Sequence, residues 1–351
     1  MAPNADNGGD RGWQATRGAA EPAPLFAAID LGTNNCRLLV ARAHPGPGSG
    51  FTVVDSFSRI VRLGEGLANS GRLSEAAIAR TVDALHVCAN KIDRWGVSQQ
   101  RHIATEACRR AANCHNFVAH VAARTGLKLE IIPPLEEARL ALAGCLALID
   151  PAYEKVLLID IGGGSTEASW IERDEDGAPG LVDSISLPFG VVSLSEQFAG
   201  HWCGGRLDRR RYNAVVQDVA GQLLAFDQRH GIAAAIARGQ VQMIGTSGTV
   251  TTVAAINLGL RRYNRNAVDG TRIARDAVHD ACRSLLDIDL AGLAAHGCIG
   301  PERADLVLAG CAILEGICAL WPAASITVAD RGLREGVLMD LIQAGHRSQP
   351  T

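Results

Sequence analysis

An apolar strand ending in Asp, an aliphatic residue and Gly, followed by small polar residues, occurs twice in this chain. It appears as Phe26-Ala27-Ala28-Ile29-Asp30-Leu31-Gly32-Thr33-Asn34-Asn35 and again as Val156-Leu157-Leu158-Ile159-Asp160-Ile161-Gly162-Gly163-Gly164-Ser165-Thr166. Two such half-sites imply a duplicated fold that closes on one ligand. Glycine permits positive φ, so backbone N–H groups and nearby hydroxyls can wrap an anionic oxygen, while the Asp holds a metal ion or water beside it. The guest this pattern predicts is phosphate.

The residues after each phrase exclude the commoner glycine-rich loops. A dinucleotide fingerprint or a Walker loop opens a helix, yet Cys36-Arg37-Leu38-Leu39-Val40-Ala41-Arg42 and Glu167-Ala168-Ser169-Trp170-Ile171-Glu172 read as strands. Each loop therefore joins a β-hairpin. The second also lacks the Gly-Lys-Ser/Thr ending, so it offers no P-loop lysine.

The chain has 351 residues, 47% of them apolar and 20% charged, enough for two cored domains. A formal net charge of −3 gives no global attraction to nucleic acid. Local clusters at Arg209-Arg210-Arg211 and at Arg261-Arg262 with Arg265 read as solvated helix faces, with guidance of a polyanion as the alternative. Ten cysteines without a Cys-x-x-Cys pair read as reduced, core-filling thiols, and His115 beside Cys114 supplies too few ligands for zinc. Residues 1–24 are expected to be a flexible tail, neither signal peptide nor packed element. Leu306 to Trp321 is short and interrupted by Glu315, so a buried helix is expected there and a cytoplasmic location for the protein, with no membrane or nucleic-acid partner.

Three strands near 25–30, 36–43 and 51–58 are followed by a helix over Ser74 to Trp95, the strand Arg101–Thr105, a helix, the strand Leu127–Ile132 and a helix from Leu135 to about Leu148. The order then repeats. Strands at 155–161, 167–173 and 181–187 lead to helices near 193–199 and 207–229, the strand 241–244 and a helix over 250–258; helices near 273–287 and 302–320, the strand 325–329 and a closing helix over 333–344 complete it. This pattern predicts an α/β chain with a duplicated ribonuclease-H-like fold, as in actin and sugar kinases, whose two domains flank a ligand cleft. The expected boundaries are 25–138 for the first domain, completed by a C-terminal helix over 337–346, and 139–336 for the second.

Seven segments in order carry a resemblance. They are Asp30-Leu31-Gly32-Thr33-Asn34; Val61-Arg62-Leu63-Gly64-Glu65-Gly66-Leu67; Ala104-Thr105-Glu106-Ala107-Cys108-Arg109; Glu136-Glu137-Ala138-Arg139-Leu140; Asp160 to Glu167; Gly245-Thr246-Ser247-Gly248-Thr249; and Asp330-Arg331-Gly332-Leu333-Arg334-Glu335-Gly336. From Ala27 to about Ile342 the chain resembles the exopolyphosphatase and guanosine pentaphosphate phosphohydrolase family, within the acetate-kinase, sugar-kinase, chaperone and actin superfamily.

A phosphoanhydride hydrolase needs a phosphate cradle, a divalent ion to offset charge and a carboxylate to orient or deprotonate water. Glu136 and Glu137 lie roughly 100° apart around a helix, so only one faces the cleft squarely. The resemblance gives Glu137 the water-activating role and leaves Glu136 to solvent or to Arg139 three residues on. It also implies that Asp160 and Glu167 are catalytic acids tied to magnesium and the scissile phosphate, with Gly162, Gly163, Gly164 and Ser165 as donors. Asp30, again with the metal, and Gly32, Thr33 and Asn34 do the corresponding work from the first domain. Thr105, Arg109 and Arg62 are assigned to phosphate on the same grounds. Gly245, Thr246 and Gly248 form a third glycine-rich turn before a helix, a natural anion site. Magnesium is the expected cofactor, other divalent ions and potassium remaining open.

Two departures from the family's pattern stand out. Pro134-Leu135 replaces the usual Gly-Glu before the glutamate pair, which stiffens the helix entry, and Thr33 stands where Ser is common. The reading lacks the helical extension of longer members, so distributive action on long chains is expected, and a homodimer is expected in solution. The function implied is magnesium-dependent release of the terminal phosphate of inorganic polyphosphate, guanosine pentaphosphate, or both. The alternative is a non-catalytic switch that binds a guanosine alarmone or polyphosphate. No sugar-binding signature supports a kinase.

Overall fold

Both repeated phrases end a buried strand and turn back as an antiparallel hairpin. Leu31 pairs with Cys36 across the first turn and Ile161 with Thr166 across the second. Gly32 N donates to Asn35 O at 2.9 Å, and Gly162 N to Ser165 O at 3.0 Å, so the two loops close by the same bond. The computed structural model describes residues 24–347 apart from 45 and 47–49; of the expected tail, all but Pro24 lies outside the described residues.

The first half contains β1 (Leu25–Leu31), β2 (Asn35–Ala43), β3 (Phe51–Ile60), α1 (Leu67–Ser70), α2 (Glu75–Trp95), β4 (Gln99–Ala104), α3 (Glu106–Arg110), α4 (Cys114–Thr125), β5 (Leu129–Ile131) and α5 (Pro134–Cys145). The second half contains β6 (Lys155–Ile161), β7 (Thr166–Arg173), β8 (Pro179–Leu187), α6 (Val191–Phe198), β9 (Trp202–Cys203), β10 (Arg206–Leu207), α7 (Arg209–His230), α8 (Ile232–Ala237) and β11 (Val241–Thr246). It continues with α9 (Ser247–Asn257), α10 (Arg265–Val268), β12 (Arg272–Ala274), α11 (Arg275–Leu286), α12 (Leu290–Ala295), α13 (Val307–Leu320), β13 (Ser325–Ala329) and α14 (Leu333–Arg347).

The two large sheets repeat one topology. The first runs β3-β2-β1-β4-β5, with β4 parallel to β1 and to β5; the second runs β12-β13-β11-β6-β7-β8, with β11 parallel to β6 and to β13. Parallel pairing sends each crossover through a helix, so the loops after β1, β4, β6 and β11 all open at the carboxyl edges of their sheets. The second sheet gains an edge strand, β12, antiparallel to β13. Sequence periodicity assigns this segment to the following helix, because a three-residue strand with only Ile273 buried leaves almost no period-two signal.

Local capping explains several boundaries. Ser74 Oγ accepts from Ala77 N to start α2, and Gly96 ends it at φ +58°. The expected helix over 302–320 begins only at Val307, since Gly300 at φ +77° and a run of turns precede it.

Three apolar clusters stabilise the molecule. One, around Trp170, Tyr212, Phe226 and Trp321, lies under the second sheet, and another, around Ile29, Leu38, Leu85 and Phe117, under the first. The third joins both sheets through Leu39, Leu140, Leu158, Val337 and Leu338. There α5 crosses α14 at backbone contact, for a Cβ on Gly336 would lie 1.9 Å from Leu140 O and one on Gly144 2.0 Å from Gly332 O. The boundary expected between residues 138 and 139 therefore falls inside α5, and the helix that returns to the first sheet starts at Leu333 rather than 337.

Candidate active site

The carboxyl edges of the two sheets face each other across a cleft of about 810 Å³. The hairpin loops meet at its floor. A Cβ on Gly163 would lie 2.9 Å from Asn34 N and one on Gly164 2.4 Å from Thr33 Oγ1, so this approach requires glycine. Asp30, Gly32, Thr33, Asn34, Thr105, Glu137, Asp160, Gly162, Gly163, Gly164, Ser165, Glu167, Thr246 and Gly248 all line the cleft, uniting residues from five separate segments. Thr246 Oγ1 itself donates to Arg331 O at 2.7 Å, and Ser247, at φ +74°, turns the chain into α9.

Four carboxylates converge on this floor. Glu137, on the first turns of α5, accepts a 2.7 Å hydrogen bond from Arg109 Nη1. Burial pushes its carboxyl up to about 7 despite Arg109, with Asp160 and Asp30 adding to the rise. Burial also raises Glu167 well above the carboxylate range, reinforced by Glu137 and Asp160, while Ser186 Oγ holds its Oε1 at 2.7 Å. Asp30 and Asp160 are raised by burial, with Arg37 opposing the rise in each. Glu136 turns away to Arg139 and Arg101.

Several buried acceptors are left without partners. Asp160 Oδ1, Asn34 Oδ1 and Thr33 Oγ1 have none. Buried oxygens among like charges fit a cation, and Mg²⁺ uses one or two protein carboxylates while keeping water and substrate oxygens as its other ligands. Asp30, Asp160 and Glu167 do not gather into a cage of three: among the described residues no group of three or more His, Cys, Asp or Glu side chains does. Asp160 and Glu167 are cross-strand neighbours in the second sheet, whereas Asp30 belongs to the first.

Three residues assigned to phosphate are placed elsewhere. Arg62 grips Asp305 with both Nη atoms, at 2.8 and 2.9 Å, and does not line the cleft. Arg109 is committed to Glu137, to Glu106 Oε2 at 3.1 Å and to Ile132 O at 2.9 Å, so it supports the glutamate rather than the ligand. Gly245 lies within β11, where a Cβ would meet Val250 at 2.9 Å, so its role is packing.

Of the positive wall of the cleft, sequence reasoning named only Arg265, as a possible guide for a polyanion. Arg37, Arg59, Arg303 and Arg334 line it, together with Arg265 and Tyr263, whose hydroxyl donates to Asp330 Oδ2 at 2.5 Å. Burial lowers Arg303 and Arg334 from the usual guanidinium range, and the charge of Arg37 adds to both shifts. Arg37 was legible as the strand partner of Asp30 in the hairpin, and Arg334 stands inside a quoted segment; Arg303 follows no local pattern. In the cluster 209–211, which does not line the cleft, Arg209 is spent on Asp287 and Arg211 on Gln197.

Comparison with known proteins follows the same lines. The pattern of the Ppx/GppA phosphatase family matches residues 39–344. The chain is 30% identical over 333 residues to the Exopolyphosphatase 2 of Mycobacterium tuberculosis, covering 90% of this chain and 98% of that protein. It is also 30% identical over 327 residues to a guanosine-5'-triphosphate,3'-diphosphate pyrophosphatase of Aeromonas hydrophila, covering 92% of this chain but only 60% of that longer protein. The crystal structure of the Aquifex aeolicus member of the family superposes with a TM-score of 0.72 at 25% identity, over 93% of this chain and 99% of that one.

Proposed function

The chain belongs to the Ppx/GppA phosphatase family, and from that premise we propose that it hydrolyses the terminal phosphoanhydride of inorganic polyphosphate, of guanosine pentaphosphate, or of both. The observation that carries this reading is the meeting of two glycine loops, a buried glutamate held by Arg109 and a set of arginines in one cleft.

The chemistry is transfer of a phosphoryl group to water. The water oxygen forms a bond to the terminal phosphorus as the bridging P–O bond breaks in line, and the departing phosphate oxygen keeps the electron pair. Glu137 takes the water proton on its carboxylate; a base with a pKa near ambient pH suits this task. Arg109 orients that carboxylate through Nη1 and is itself fixed by Glu106 and Ile132 O. Backbone N–H groups of Gly163, Gly164, Ser165, Thr33 and Asn34 stabilise charge that develops on the transferring group, those of Gly162 and Gly32 being spent on closing their own loops. Asp160, with Glu167 or Asp30, would hold magnesium, which when bound offsets the charge of the phosphate oxygens. Arg37, Arg59, Arg303 and Arg334 attract the remaining phosphates.

The test is phosphate release by purified protein given polyphosphate, guanosine pentaphosphate and ATP in parallel, with and without Mg²⁺. Release from either of the first two in excess of ATP is the expected result. No release from either overturns the reading.

A further inference from the structure

The residue that sequence reasoning misplaced points beyond the reaction. Arg62 stands on the loop after β3, at φ +48°, a conformation that non-glycine residues seldom adopt. That loop hangs on the first phosphate loop: Val61 N and Arg62 N both donate to Asn34 O, at 2.9 and 3.0 Å, and Gly64 N donates to Thr33 O at 2.9 Å. Beside the cleft, the Arg62 guanidinium reaches from the first half to the second and holds both oxygens of Asp305 and, through Nη2, Glu302 O at 3.0 Å. Asp305 lies two residues from Arg303, which lines the cleft. A second bond spans the same gap, from Gly66 N to Glu196 Oε1 at 2.7 Å.

These contacts join the segments that carry opposing arginines. Arg37 comes from the first sheet and Arg303 from the second unit's 297–306 loop, and both line the cleft. A polyanion bound between them would draw the two sides together. The Arg62–Asp305 pair joins the same two sides without one.

We infer that Arg62 and Asp305 are positioning residues: their ion pair holds the two walls of the cleft together before substrate arrives, setting Arg303 opposite Arg37 and Asn34. They touch no reacting atom. Substrate, once bound, neutralises the arginines itself and closes the cleft without help. The pair therefore sets how much of the free protein is competent to bind, and with it KM, rather than kcat. This inference rests on the reading of the cleft as a polyanion site.

Asp305→Asn leaves the shape of the side chain and removes its charge. Reducing the competent fraction tenfold raises apparent KM by about tenfold with kcat unchanged. In the substrate-free protein, hydrogen exchange at Gly66 N–H should quicken, while Val61, Arg62 and Gly64, bonded within their own unit, keep their protection. Small-angle scattering should show a larger radius of gyration. Arg62→Asp combined with Asp305→Arg should restore KM and protection, since Asp tolerates positive φ. Unchanged KM and exchange in Asp305→Asn, in a parent that hydrolyses its substrate, overturn the inference and leave the function standing. A parent without activity defeats the functional reading, and exchange and scattering still judge the latch. Equal loss of kcat and protection throughout the chain in Asp305→Asn would mean a structural defect and also overturn it.

Discussion

Glu137 shows how one side chain is set for its work by opposing influences. Only 8% of its surface is exposed, and burial outweighs the neighbouring guanidinium of Arg109, carrying the carboxyl from an ordinary 4.5 to about 7. Glu137 must be ionised to accept a proton, so kcat/KM should rise about tenfold per pH unit below 7 and level off above it. Glu137→Gln should lower kcat by roughly 10² to 10⁴ and abolish that limb; an unchanged pH profile assigns the limb to another group. The same shift affects stability. A carboxyl whose folded pKa lies above its unfolded value favours the folded state when protonated, and that contribution is lost as pH rises from about 4.5 through about 7. Above that range the ionised carboxylate costs up to about 3 kcal/mol. Urea melts should therefore find Glu137→Gln more stable than the parent at pH 8, with the gap closing towards pH 4.5. A second residue-scale expectation concerns Asp160, whose Oδ1 is buried without a partner. Asp160→Asn removes charge from a site suited to a hydrated cation, so half-saturating Mg²⁺ should rise in activity titrations. The parent's value in that titration would make Asp160 a turn residue only.

At the scale of elements, what was legible in the sequence was local. The twin hairpins could be read because Asp-aliphatic-Gly fixes a turn and alternating residues fix a strand, both within ten positions. Glu137 could be found because its helix and motif are contiguous. What depended on tertiary placement was hidden: β12 is too short to show a period, and Arg62 and Arg109 sit in phosphate-like motifs yet meet carboxylates distant in sequence, Asp305 for one and Glu137 for the other. The α5–α14 crossing is likewise invisible in sequence, where nothing brings Gly144 to Gly332 or Gly336 to Leu140. In the fold they let two helices touch, and α5 carries Glu137 just before Leu140. Gly336→Ala drives a Cβ to 1.9 Å from Leu140 O and cannot be absorbed by a side-chain rotation. It should destabilise by about 1–3 kcal/mol or more, as overpacking does, and reduce kcat by tilting α5. Denaturant midpoints and kcat measured together check this; loss of stability with unaltered kcat would mean that the crossing does not position the glutamate.

For the whole molecule, the decisive quantity is where charge sits rather than how much there is. The chain is formally −3, yet Arg37, Arg59, Arg303 and Arg334 face one cleft, while the more conspicuous Arg209–Arg211 run lies outside it. Net charge would repel a polyanion weakly, and the cleft lining holds eight acids beside six arginines, so capture must come from the placement of those arginines and from the cation that would offset the floor carboxylates. Salt screens the field of the arginines over about 8 Å at 0.15 M, less effectively where the groups are partly buried. Raising ionic strength should therefore increase KM for polyphosphate with little change in kcat. Arg303→Gln should raise KM at low salt and flatten its dependence on salt, because one of the opposed guanidiniums is gone. Replacing Arg209, Arg210 and Arg211 together with Gln should leave both KM and its salt dependence at the parent's values, since Arg209 pairs with Asp287 and Arg211 with Gln197 on a surface away from the cleft. The two variants decide between a field focused by the cleft and one spread over the surface. If the triple variant flattens the salt dependence and Arg303→Gln does not, the polyanion is gathered on the outer helix face and the arginines of the cleft act only after it arrives.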